Sequence, residues 1–107
     1  MLNASWQVDY ADWTTLKASV HEAFGVELVD PHDDFGFEEL FCVLREKHGL
    51  DPCKYRRGNL LRVHAHRATN WWGEHEDICV AIGRAAMSWY LSRPENDRHP
   101  IFSAENA

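Results

Sequence analysis

The chain has 107 residues, 45% of them hydrophobic and 26% charged, and a formal net charge of −6. That length holds one core with no room for a second of useful size, and the apolar fraction excludes a disordered chain. A net negative charge also argues against a protein whose entire surface grips nucleic acid.

In chain order, residues 5–8 read as a short edge strand. A helix over 12–24 follows, because Trp13, Leu16, Val20, Ala23 and Phe24 recur at helical spacing behind Asp12, a good capping residue. Gly25 supplies a left-handed stop, after which Val26 can pack back on Val20. The β-branched run at 26–29 reads as a strand, broken by Asp30-Pro31. A second helix is expected over 35–48, carried by Phe37, Leu40, Phe41 and Leu44, with Gly49 and Pro52 beyond its end.

The stretch 60–66 alternates cleanly, Leu61, Val63 and Ala65 on one side and Arg62, His64 and His66 on the other, which is the pattern of a half-buried strand. A third helix is expected over 74–92. Its stripe of Ile78, Ile82, Ala85, Ala86 and Trp89 is widened by Val80, Met87 and Leu91, so it should be the central helix, with Gly83 letting a neighbour approach closely. The fold class that follows is α+β, three helices with a sheet of two or three short strands. A mostly α arrangement is the alternative. Residues 1–94 are expected to form the globular domain and 95–107 a polar tail.

Three cysteines, Cys42, Cys53 and Cys79, form no disulfide-rich spacing, and no leader-like or membrane-length apolar run is present. The expectation is a cytoplasmic protein without membrane contact. Cys42 and Cys79 fall among apolar residues and read as core; Cys53 falls beside Lys54 and Arg56, a setting that favours a thiolate.

Two features stand out. Five tryptophans occupy positions 6, 13, 71, 72 and 89. Trp13 and Trp89 belong to helix stripes, while adjacent Trp71 and Trp72 must point in different directions, which leaves them and Trp6 as candidate binding anchors. The charge is also divided: residues 1–53 carry three bases against eleven acids, net −8, and residues 54–107 carry eight bases against six acids, net +2.

Three constellations follow from these features. Glu27, Asp30, Asp33, Asp34, Glu38 and Glu39, with Trp6, Trp71 and Trp72, could form a surface for a basic protein partner. Lys54, Arg56, Arg57, Arg62 and Arg67, in a stretch without any acid, could bind phosphate or nucleic acid, or fold back to neutralise the acidic half. His64, His66, His75 and Cys79 are of zinc-ligand type, at strand spacing and helical spacing, and would support a small metal-dependent enzyme.

Phosphate loops, nucleophile elbows and CxxC pairs are all missing, so no catalytic motif and no cofactor is indicated. Recognition is the expectation that remains. The leading one is an inhibitor or adaptor, of the immunity-protein kind, that covers the basic surface of a nuclease, a toxin or a nucleic-acid-handling complex. The apolar third helix also leaves a homodimer open.

Overall fold

The computed structural model describes residues 12–93; the strand expected at 5–8, Trp6 and the tail from 95 lie outside them. The order is α1 (Trp13–Phe24), α2 (Asp34–Glu46), β1 (Cys53–Arg57), β2 (Leu60–His64), β3 (Trp72–His75) and α3 (Ile78–Ser92). The fold is α+β, three helices with a three-stranded antiparallel sheet in the order β1-β2-β3.

Asp12 caps α1, accepting from Thr14 N at 3.3 Å and from the Thr15 hydroxyl at 2.9 Å. Gly25 ends the helix at φ 72° and donates its N–H to the His21 carbonyl. Asp33 caps α2 through Phe35 N, and beyond that helix Leu50 N–H reaches back to the Leu44 carbonyl, closing the end as the glycine pattern predicts. Leu16, Val20, Leu40 and Leu44 are fully buried, so both amphipathic stripes face the core.

Helix α3 is the centre. Cys79 to Gly83 and Ala85 to Tyr90 are all buried, as expected of a helix packed on every side. Ala81 and Ala85 lie under the sheet at Gly73, while Cys79 and Gly83, on the opposite side of the same helix, meet Gly36 of α2 and Leu16 of α1. One helix therefore separates a sheet layer from a helix layer.

Three expectations need correction. The run Val26–Val29 alternates as a strand would, with Val26 and Leu28 buried and Glu27 and Val29 exposed, yet it pairs with no strand among the described residues. It is an extended connection held by its two apolar side chains. The helix placed from 74 starts at Ile78, with Asp77 extended at the N-cap position and making no side-chain capping bond, because Trp72–His75 pairs with β2. Strand β1 was not foreseen at all.

The hairpin β1–β2 turns through Gly58-Asn59, with Arg57 opposite Leu60. A two-residue hairpin loop requires positive φ, which Gly58 supplies at 64°. The register sets which side chains share a face: Lys54, Arg56, Leu61, Val63 and Gly73 turn inward, while Tyr55, Arg57, Leu60, Arg62, His64, Trp72 and Glu74 turn outward. Strand β1 overhangs α3, so Lys54 and Arg56 remain exposed although they are on the inner face.

Candidate functional site

The acidic constellation is organised by one tight turn. Asp30 accepts from His32 N through its side chain at 2.8 Å and from Asp33 N through its carbonyl at 3.0 Å. The turn is then pinned to the start of α3 at three points: Cys79 N–H donates to the Pro31 carbonyl (3.0 Å), the Cys79 thiol to the Asp33 carbonyl (3.0 Å), and His32 Nδ1 lies 2.8 Å from Asp77 Oδ1. Burial pushes the Cys79 thiol up to about 11, with the Asp33 carboxylate adding to the shift. Cys79 is therefore a structural donor rather than a nucleophile.

From this turn the acids divide by role. Asp33 is spent on the α2 cap, whereas Glu27, Asp30, Asp34, Glu38 and Glu39 are exposed. Among them stand two large apolar side chains that sequence reasoning did not single out, Phe35 at 85% exposure and Val29 at 69%. The signal for Phe35 was present: two residues before Phe37 on a helix, it is turned about 200° away from the buried stripe. Val29 follows buried Leu28 on an extended segment and must point outward.

The tryptophans fall elsewhere. Trp71 is half-buried and packs against the core, and its carbonyl accepts from Ala65 N at 2.7 Å. Trp72 is half-buried on the outer face of the sheet beneath the Arg62 guanidinium, 4.0 Å from the ring centroid. Trp89 stacks on Phe24 and contacts His48, the structural role its stripe predicts.

The basic residues are partly compensated within the molecule. Arg62 Nε bonds Glu74 at 3.2 Å, and Arg67 Nε bonds Asp51 at 2.9 Å, which raises the Arg67 pKa further. Lys54 Nζ sits 4.7 Å over the Phe37 ring, in a groove of about 330 Å³ where Lys54 and Arg56 share walls with Asp34 and Glu38. Arg57 is exposed and has no ion-pair partner among the described residues.

The four residues of zinc-ligand type do not converge. His64 and His75 pair with Trp72 and Leu61 respectively, at opposite ends of the β2–β3 ladder. His64 donates Nδ1–H to the Thr69 carbonyl (3.0 Å), since a carbonyl can only accept, and its Nε2 lies 3.3 Å from the Tyr55 hydroxyl. His66 and His75 accept backbone N–H groups from Asp51 and Asp77 through Nδ1. Among the described residues no group of three His, Cys, Asp or Glu side chains is arranged to hold a metal ion. Cys53 begins β1 half-buried, and Cys42 is half-buried on α2.

The site is therefore a surface rather than a cleft: an acidic rim around protruding Phe35 on one flank, and a planar, basic sheet face on another. No helix among the described residues is long and apolar enough to cross a membrane. Compared with known proteins, the chain matches no family model, no curated protein and no solved structure.

Proposed function

We propose that the chain is a small protein-binding module, an inhibitor or adaptor, whose acidic flank covers a basic surface of its partner. The observation that carries this reading is Phe35, an aromatic ring 85% exposed on the first turn of a helix whose neighbours Asp34, Glu38 and Glu39 are exposed acids. Leaving such a ring in water forgoes roughly 2 kcal/mol that burial would recover. An aromatic anchor flanked by exposed acids is the arrangement in which charge speeds the encounter and the ring slows departure.

The anchors in this reading are Phe35 and Val29 rather than Trp71 and Trp72, which the sheet already engages. The pinned turn at Asp30 to Asp33 favours it too, since a surface held rigid before binding loses less entropy on complex formation. A nuclease, a toxin or a nucleic-acid-handling assembly has the basic surface required, and the exposed carboxylates would stand where phosphates otherwise bind.

The experiment is affinity capture of the tagged chain from its native host at moderate salt, beside the variants Phe35→Ser and Asp34→Lys/Glu38→Lys. A partner retained by the wild type and lost from both variants, with retention falling as salt rises, supports the reading. Retention that is identical in all three proteins places recognition elsewhere and overturns it.

A further inference from the structure

A different feature is left unused by the acidic flank. The outer face of the sheet carries four planar side chains in one contiguous patch, Tyr55, Arg62, His64 and Trp72, with Tyr55 directly opposite Arg62 and His64 directly opposite Trp72. No helix among the described residues packs on that face, because α3 occupies the inner one, against Gly73. From these placements we infer that the outer sheet face binds single-stranded nucleic acid, stacking bases on its planar groups and taking phosphates on Arg57.

The planar groups are held in place before any ligand arrives. Tyr55 stacks on His64 with ring centroids 5.7 Å apart and planes 21° from parallel. His64 cannot turn freely, since Nδ1 is tied to the Thr69 carbonyl and Nε2 meets the Tyr55 hydroxyl. The Arg62 guanidinium lies over Trp72 and is fixed at its edge by Glu74. Tyr55, 45% exposed, offers its free side to a base. Stacking on preset rings and guanidinium planes tolerates any base, because every base has a π face.

Charge selects nucleic acid over an apolar ligand. Leu60 is the one exposed aliphatic residue of the described sheet, while of the five bases in residues 54–67 Arg62 and Arg67 are paired with Glu74 and Asp51 and the other three, Lys54, Arg56 and Arg57, are exposed on β1. Arg57 is exposed on the outer face at the hairpin, and Lys54 and Arg56, which turn to the inner face toward Asp34 and Glu38, also leave the β1 edge basic. The same basic edge would repel a second copy of itself, which disfavours strand-to-strand pairing of two chains.

Size and net charge narrow the ligand to a single strand. Three strands at about 4.8 Å spacing give a platform roughly 10 Å across, room for two or three stacked nucleotides. A duplex hides its base faces and leaves only the backbone and the groove edges of the bases, against which a chain of net −6 with no free base to stack gains little. The excess acid belongs to residues 1–53, so the patch acts locally within a screening length of about 8–10 Å.

Fluorescence anisotropy tests this with two fluorescein-labelled probes, ten-nucleotide oligo(U) and a ten-base-pair DNA duplex, titrated with the full chain at 50 mM and 200 mM salt. The wild type is expected to bind the single strand saturably and the duplex at least about tenfold more weakly. Tyr55→Ser should weaken single-strand binding by roughly tenfold, the loss of one stacked base. Arg57→Glu should weaken it and lower the salt slope by about one phosphate contact. Both residues are exposed, so circular dichroism and melting of the variants should be unchanged, which checks that they fold.

Phe35→Ser should leave oligo(U) binding unchanged, so the inference stands or falls separately from the acidic-flank reading. Absence of saturable oligo(U) binding at 50 mM salt overturns the inference. So does binding that neither Tyr55→Ser nor Arg57→Glu weakens, or a duplex bound as tightly as the single strand.

Discussion

Gly73 of β3 and Ala81 of α3 meet backbone to backbone: a methyl group on Gly73 would collide with the Ala81 carbonyl oxygen, and would lie 2.5 Å from Arg84 Cβ and 2.8 Å from Ala85 N. Two of those three atoms belong to the helix backbone, which cannot step aside as a flexible side chain would. The sheet therefore seats on the central helix at the one strand position without a side chain.

Gly73→Ala is expected to destabilise the fold by about 3 kcal/mol or more, beyond the usual 1–3 kcal/mol of overpacking, because strand and helix must separate. For a domain of this size that corresponds to a fall in melting temperature of roughly 12 °C or more. Thermal denaturation of the variant checks it. A fall under about 4 °C would show that α3 and β3 do not approach so closely.

On the opposite side of α3, Gly83 meets Leu16, whose Cδ2 would stand 3.0 Å from an added methyl. Alanine gains about 1 kcal/mol of helix propensity over glycine, but Leu16 is fully buried and has nowhere to retreat. Gly83→Ala alone should come out destabilising by about 1 kcal/mol. Paired with Leu16→Val it should cost less than the two changes summed, with a coupling of at least about 0.5 kcal/mol in a denaturation double-mutant cycle. Strict additivity would remove the contact from the account.

These close approaches also explain what could be read in the sequence. Helix α1, the stop at Gly25, the central character of α3 and the strand through Leu61 and Val63 were legible because each buries one periodic face. Strand β1 was not, since its inward residues, Lys54 and Arg56, overhang α3 and leave no apolar alternation. Only Gly58-Asn59 marks its hairpin. The end of strand β3 reads as the start of a helix because the inward positions of the strand are Gly73, with no side chain to count, and polar His75, and because the acids around it resemble a first turn. Phe35 was legible as an off-stripe aromatic. The burial of Trp72 was not, since it depends on Arg62 across the strand.

Cys79 makes stability depend on alkaline pH. Its thiol is pushed up to about 11, chiefly by burial, from an ordinary value of 9.0. The folded state therefore keeps the proton more tightly than the unfolded chain. The associated stability is fully present below pH 9 and is lost as pH rises through about 11, to a total of about 2–3 kcal/mol. Other groups titrate in the same window, so the contrast with Cys79→Ala isolates the effect. Urea denaturation of both proteins at pH 8, 9.5 and 10.5 should show the wild type's advantage shrinking with pH. An advantage constant across the series would contradict the desolvation account.

Asp33 and Asp34 are adjacent acids with different work, and their variants should separate stability from recognition. Asp33 is half-buried, and its carboxylate accepts Phe35 N at 3.0 Å as the α2 cap. Asp33→Ala should cost about 1 kcal/mol of stability, and Asp33→Asn much less, because asparagine caps almost as well. Capture of the partner should survive both changes at temperatures well below melting. Asp34→Lys loses only about 0.3–1 kcal/mol of interaction with the helix dipole, yet it reverses a charge on the exposed rim beside Phe35 and should weaken capture strongly. Melting curves run beside the capture assay read both effects. If Asp33→Asn weakens capture as much as Asp34→Lys does, recognition follows total acidity rather than the exposed rim, and the flank around Phe35 loses its claim to be the binding site.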